Sequence, residues 1–168
     1  MRIPLFGLVT LLAVLPSREG LAQGGHDPKH HGAPDSAFRA MQERGKQVMG
    51  VDQYRSTHRF TSLPEGGSIA LTGDSSDTTA TAAIRAHFEE IAVAFAAGTF
   101  ALPGIVHAGT VPGTTVMKAR TARITYHTRN IVGGAELLIG TKDRTALRAI
   151  HEFLAFQRAE HRAGPAQP

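Results

Sequence analysis

The sequence contains no cysteine and no tryptophan, and only 6% of its residues are aromatic. The lack of cysteine excludes disulfide bonds and thiolate chemistry, so the fold must be stabilised by packing. The GxGxxG, Walker A, HExxH and CxxCH motifs are also missing. The basic residues are scattered and do not form a cluster interleaved with aromatic residues. We therefore expect no nucleic-acid partner, although the net charge is +4.

The N-terminal residues have the pattern of a secretory signal. Arg2 precedes an apolar run from Ile3 to Leu15, and small residues follow at Gly20 and Ala22. This pattern predicts a signal peptide over residues 1–22, with a buried first helix as the alternative. The run is too short to span a bilayer, and no second apolar segment suggests an anchor. We expect a periplasmic or secreted protein that is not inserted in a membrane after cleavage.

The rest of the chain has the organisation of one small domain. Residues 23–36 are rich in Gly, Pro and His and predict a flexible His-rich leader. Residues 37–163 predict a single α+β domain, and residues 164–168 a disordered tail. A short N-terminal helix, residues 37–48, precedes two ββα halves at about 54–98 and 120–162. The segment 99–119, with its prolines and glycines, is expected to be mostly irregular.

Each half begins with two alternating strands joined by a Gly-Gly turn, at residues 66–67 and 133–134. A polar link and an amphipathic helix follow in both halves. The predicted fold is therefore ββαββα, a four-stranded antiparallel sheet with two helices on one face.

Nine histidines are the most informative feature of the chain. Strand alternation predicts that Tyr54, Ser56, His58 and Phe60 share the buried face, whereas His127 shares the exposed face of its strand with arginines. At about 100° per residue, His87 lies at the edge of one helical stripe, His161 lies nearly in line with Ile150, and His151 flanks that stripe. The leader histidines are open to two interpretations, weak metal capture or a solubilising segment. These leader residues are His26, His30 and His31.

Methionine supplies a second kind of soft donor. Met49 and Met117 lie in Gly-rich segments where a flexible apolar side chain has less obvious packing to do, although gap-filling is the alternative. Without cysteine, a soft metal site must use His and Met, a ligand set that favours copper, especially Cu(I), over zinc or magnesium. Enzymatic candidates are fewer: Asp52 and His58, with Ser56 or Thr57 as nucleophile, lack an accompanying oxyanion motif or nucleophile elbow.

Four segments resemble a family of small exported bacterial proteins of uncharacterised function. They are MGVDQYRSTHRF, IRAHFEEIAVAFAAGTF, IVHAGTVPGTTVMK and AIHEFLAFQRAEHR, and the resemblance extends over most of the mature chain. Some members are labelled aspartate carbamoyltransferase, but this chain lacks the carbamoyl-phosphate loop and the two-domain size of that enzyme. The resemblance implies one set of notable positions: Met49, His58, His87, His107, Met117, His151 and His161.

These observations predict a periplasmic metal-binding protein, with copper as the ion, for sequestration, delivery or tolerance. The candidate ligands are His58, His107, Met117, His151 and His161, followed by His87 and Met49. Two alternatives remain open. One is a non-catalytic interaction module with structural histidines, which pairs as a homodimer or with a periplasmic protein. The other is a small hydrolase or lyase that depends on a metal or a His/Asp pair.

Overall fold

The computed structural model describes residues 32–164, with side chains from residue 36 onward. All of these residues belong to one compact unit. The predicted signal peptide, the leader histidines and the last four residues of the predicted tail lie outside the described residues.

Four strands form a single antiparallel sheet. They are β1 (Thr57–Leu63), β2 (Gly66–Thr72), β3 (Ile124–Ile131) and β4 (Gly134–Thr141), and their order across the sheet is β1-β2-β4-β3. β1 and β2 form one hairpin, β3 and β4 form the other, and β2 and β4 join the hairpins at the centre. The predicted α+β fold with a four-stranded antiparallel sheet is confirmed.

Five helices accompany the sheet: α1 (Gly32–Met49), α2 (Thr78–Ala96), α3 (Ala101–His107), α4 (Thr114–Ala119) and α5 (Arg144–Glu160). The two long helices that follow the hairpins begin in the same way. Asp77 accepts a hydrogen bond from Ala80 N at the start of α2, and Asp143 accepts from Thr145 N and Ala146 N at the start of α5. Such aspartates satisfy amide groups that have no partner inside the helix.

Both α2 and α5 pack on one face of the sheet, as predicted. Residues paired directly across antiparallel strands point to the same face, which places Phe60, Ile69 and Leu137 in one row with Thr128. Thr128 donates a hydrogen bond to Glu89 of α2. Gly67 lies on the same face of the sheet, two residues before Ile69. Helix α5 approaches the backbone there so closely that a Cβ on Gly67 would lie 2.2 Å from Leu154 Cδ1. The main core fills this space between sheet and helices.

Four details of the predicted organisation are wrong. The hairpin turns lie at residues 64–65 and 132–133, and Gly66, Gly67 and Gly134 belong to strands because their backbones pair across the sheet. The segment 99–119 contains the helices α3 and α4, because Val111 and Met117 bury against the core and stabilise turns that their glycines alone would not favour. Residues 32–36 belong to α1 and not to the leader. Tyr54, expected on the buried face, is 60% exposed because residues 53–55 form a 3₁₀ turn before β1 begins, which breaks the alternation.

No single helix among residues 32–164 is long and apolar enough to cross a membrane. Only α2 and α3 together, with a bend of 115° between them, reach the necessary length and composition.

Candidate functional site

A cavity of about 80 Å³ lies where the end of α1, strand β1 and helices α2, α3 and α5 meet. Most of its wall is apolar and aromatic. Four histidines interrupt this wall: His58, His87, His107 and His161. None of the described residues that line the cavity is an aspartate or a glutamate.

Strand β1 brings His58 to the cavity because it lies two residues before the buried Phe60 on the same face. The two rings stack with centroids 5.7 Å apart and planes inclined by only 6°. Burial, with a smaller contribution from the nearby His87, lowers the pKa of His58 to about 4. His58 is therefore a neutral imidazole at neutral pH.

His161 follows the last residue of α5 and lies at the centre of the aromatic group. Its ring centroid is 4.5 Å from that of His58, 5.2 Å from that of His107 and 5.4 Å from that of Phe60. Burial lowers the pKa of His161 to about 2, with smaller contributions from His58 and His107. Three imidazoles thus form a continuous contact chain in the order His58, His161, His107.

His107 ends α3, and its side chain is only 3% exposed. Its Nε2 lies 2.9 Å from Oε1 of Gln157 on α5, and its Nδ1 lies 3.9 Å from a carboxylate oxygen of Glu160. Burial is the main cause that lowers the pKa of His107, while the Gln157 hydrogen bond and the Glu160 charge act in the opposite direction. His107 also packs against Phe156 at a centroid distance of 5.0 Å.

His87 and Met49 complete the polar and soft atoms of the wall. His87 is a buried residue of α2, in edge contact with Phe88, and burial lowers its pKa. Met49 is the last residue of α1 and is partly buried against the core. The cavity therefore combines four imidazoles with one thioether.

Two imidazole nitrogens of the histidines that line this cavity are buried and have no hydrogen-bond partner among the described residues. They are Nδ1 of His107 and Nδ1 of His161. A buried polar atom without a partner costs about 1–3 kcal/mol. Such atoms are rare in folded proteins and call for a structural or functional reason.

The imidazole rings are nevertheless not arranged as a preformed metal centre. Within residues 36–164, no group of three His, Cys, Asp or Glu side chains is placed so that it could hold a metal ion. The rings contact one another through their faces and edges: the planes of His58 and His161 are tilted by 34°, and those of His107 and His161 by 85°. Their nitrogens do not converge on one point.

Two predicted ligands lie away from the cavity. His151 Nε2 lies 2.9 Å from Leu63 O and 3.0 Å from Gly66 O, so this ring ties α5 to the turn between β1 and β2. Met117 of α4 is fully buried in the main core. His127 is exposed on the opposite face of the sheet, as strand alternation predicts.

Asp52 also has a local structural role, because its carboxylate accepts a hydrogen bond from Tyr54 N. It does not line the cavity.

Gln157 and Glu160 were not singled out from the sequence. A signal for Gln157 existed, since it lies seven residues after Ile150 and therefore on the same apolar stripe of α5. A polar amide on a buried stripe needs a partner, and the partner here is His107. Glu160 carried no comparable signal because exposed glutamates are common at the ends of helices.

No protein-family model matches the chain, and neither the curated proteins nor the solved structures contain a significant match to it.

Proposed function

We propose that this protein binds a copper ion in the histidine-lined cavity, in the periplasm or outside the cell, for sequestration, delivery or tolerance. The observation that carries the proposal is the group of four histidines that line a single cavity, two of which, His107 and His161, have a buried Nδ1 without a hydrogen-bond partner among the described residues. The candidate ligands are His58, His107 and His161, with His87 and Met49 beside them.

The protonation state of these side chains is the one that metal binding requires. Burial lowers the pKa of all four histidines in the cavity, so they are neutral and hold lone pairs at neutral pH. Metal binding requires neutral imidazole. Several polar rings in one apolar region reduce stability unless their lone pairs are used, and a bound cation would use them.

The composition of the wall favours copper, and Cu(I) in particular. Imidazole and thioether donors suit copper, whereas Mg²⁺ and Ca²⁺ prefer oxygen ligands. Most of the wall is apolar, so a divalent ion there would incur a large desolvation penalty. A monovalent ion incurs a smaller desolvation penalty in the same place.

The size of the cavity is consistent with an ion and not with a large organic ligand. Its volume is about 80 Å³, whereas cavities for drug-sized molecules typically measure about 300–1,000 Å³. Binding would require the stacked rings to turn so that their nitrogens converge. Side-chain rotation of this kind occurs commonly when a ligand binds.

The test is anaerobic Cu(I) titration of the purified protein against a chromophoric competitor, with metal analysis after dialysis. We expect one copper per chain and at least a tenfold loss of affinity in His107→Ala and in His161→Ala. The matched controls are His127→Ala and His151→Ala, which remove imidazoles outside the cavity and should leave affinity unchanged. An absence of stoichiometric binding at micromolar copper, or equal losses in all four variants, would refute the proposal.

A non-catalytic interaction module is the second candidate. The contacts among His58, His161 and Phe60, one stacked and two tilted, favour it, because these rings already pack as an aromatic core would. This alternative expects a metal-free protein whose stability is unaffected by chelators and copper. Copper titration therefore distinguishes the two candidates directly.

A further inference from the structure

Five cations that are scattered in the sequence lie together around the start of α5. We call them the basic surface, and they are Arg120, Arg123, Lys142, Arg144 and Arg148. Arg120 contacts the carboxylate of Asp143 at 3.2 Å. Arg123 and Lys142 line one groove with Asp143, and Arg148 lies one helical turn after Arg144. The fold therefore brings together basic residues that the sequence separates.

Two carboxylates accompany the basic surface, and neither neutralises Lys142 or Arg144. Asp143 accepts hydrogen bonds from two backbone N–H groups of α5 and contacts Arg120. Glu65 is an exposed residue of the β1–β2 turn and lines the same groove. Lys142 and Arg144 are exposed, and neither forms an ion pair with another residue between 36 and 164. Their charges are therefore available to a partner.

The position of these cations does not favour the helix that they flank. Positive charge stabilises the C-terminus of a helix and destabilises its N-terminus. Lys142 and Arg144 lie on either side of the capping Asp143, and the first turn of α5 contains no acidic residue. Helix α2 begins with the same kind of aspartate cap but has no cation before Arg85. A charge placed against the local preference indicates a role other than stability.

The groove beside the basic surface is open and polar, with a volume of about 600 Å³. None of the described residues that line it has an aromatic or a large apolar side chain. Proteins that bind single-stranded nucleic acid use aromatic side chains on which the bases stack. Peripheral membrane binding buries apolar side chains in addition to charge. A chain of phosphate groups without bases or lipid requires neither, and both Arg and Lys bind phosphate.

We propose that the basic surface binds a linear polymer of phosphate groups that lies in the groove and extends along the first turns of α5. Arg123 and Lys142 line the groove, and Arg144 and Arg148 continue the positive charge about 6 Å apart along the helix axis. Several weak contacts to one chain reinforce each other, so a polymer binds more tightly than a single phosphate ion. The groove shares no lining residue with the histidine cavity, and the inference does not depend on copper.

The test measures binding of end-labelled polyphosphate of defined length by fluorescence anisotropy at several salt concentrations. Lys142→Gln/Arg144→Gln removes two charges of the basic surface. The matched control is Arg55→Gln/Arg59→Gln, which removes two exposed charges beside and on β1, at the other edge of the sheet from β3. Glu65→Gln removes the negative charge that lines the groove. Thermal unfolding of each protein without polyphosphate is the second readout.

We expect Lys142→Gln/Arg144→Gln to bind polyphosphate about tenfold more weakly or worse, with a slope of log affinity against log salt that falls by roughly one to two. The Arg55→Gln/Arg59→Gln control should stay within about threefold of the wild-type protein, because its charges are remote from the groove. Glu65→Gln should bind about twofold more tightly, because it removes a repulsive charge. The melting temperature of Lys142→Gln/Arg144→Gln should equal or exceed that of the wild-type protein.

Equal losses in the two double variants would overturn the inference, because binding would then follow net charge alone. A lower melting temperature in Lys142→Gln/Arg144→Gln would overturn it as well, because these cations would then stabilise the fold. A wild-type protein that binds no polyphosphate at physiological salt leads to the same conclusion.

Competition separates the polymer from other sources of phosphate. Inorganic phosphate at the same total phosphate concentration should not displace the polymer. Single-stranded DNA, or vesicles of phosphatidylglycerol and phosphatidylcholine in equal amounts, should compete more weakly per phosphate group. Tighter binding of either would overturn the choice of a bare phosphate chain and identify a nucleic acid or a membrane as the partner.

Discussion

Acidification should destabilise the metal-free protein because its buried histidines cannot accept protons without unfolding. The pKa of His58 is lowered to about 4 and that of His161 to about 2, whereas a histidine in an unfolded chain titrates near 6.5. When the folded-state pKa is the lower one, the unfolded chain binds more protons below pH 6.5. Stability is therefore fully present above about pH 6.5 and is lost as the pH falls toward the folded-state values.

The size of the effect follows from those pKa values. A pH of 4.5 lies about two units below the pKa of a histidine in the unfolded chain. Protonation therefore stabilises the unfolded chain by roughly 3 kcal/mol per histidine relative to the folded protein, in which the rings stay neutral. Together His58 and His161 should lower the free energy of unfolding by about 5 kcal/mol between pH 7.5 and pH 4.5. This is a large part of the 5–15 kcal/mol by which small domains are typically stable.

Urea denaturation of metal-free protein at the two pH values measures this difference. His161→Phe should reduce the pH dependence by about half, because a ring of similar shape remains while the titrating group is lost. His127→Gln removes an exposed histidine and should leave the pH dependence unchanged. A wild-type loss below about 1 kcal/mol would refute the reasoning, because it would mean that the rings are protonated or hydrated inside the fold.

Three further predictions concern the residues around the site. Gly113→Ala should destabilise the protein by more than about 2 kcal/mol in urea denaturation, because Gly113 has φ +81° and a Cβ would lie 2.2 Å from Ala149 O. The matched control is Gly109→Ala, which should be nearly neutral because a Cβ there would meet nothing within 4 Å. Met117→Ala should lower the melting temperature through a loss of about 2–5 kcal/mol without changing Cu(I) affinity per folded molecule, whereas a selective loss of affinity would return Met117 to the ligand set. His151→Ala should reduce stability by about 1 kcal/mol and leave copper titration unchanged, since its Nε2 hydrogen-bonds to the carbonyls of Leu63 and Gly66 beside the β1–β2 turn. Weaker copper binding would contradict that assignment.

The two ββα halves were predictable from sequence because their signals are local. Alternating residues around Phe60 and the aspartates before α2 and α5 each act within a few positions, and the structure has both. The two hairpins are also present, although their turns lie one or two positions before the predicted ones. The sheet order with β2 and β4 at the centre does not follow from such signals. It depends on long-range pairing between the two hairpins.

The segment between the halves shows where local reasoning fails. Its glycines and prolines indicated a loop, yet burial of Val111 and Met117 against the core stabilises two short helices. Tertiary packing outweighs helix propensity there. This packing also delivers His107 to the cavity at the end of α3.

The sequence by itself determined the number of histidines and the lack of cysteine in the chain. It also determined the face of β1 on which His58 lies. Only the tertiary structure decided that His58, His87, His107 and His161 line one cavity while His151 binds a hairpin turn. His151 and His161 lie on the same helix segment, and both were compatible with a buried position. Which of them reached the cavity depended on the elements packed against each end of α5, a relation that no local pattern records.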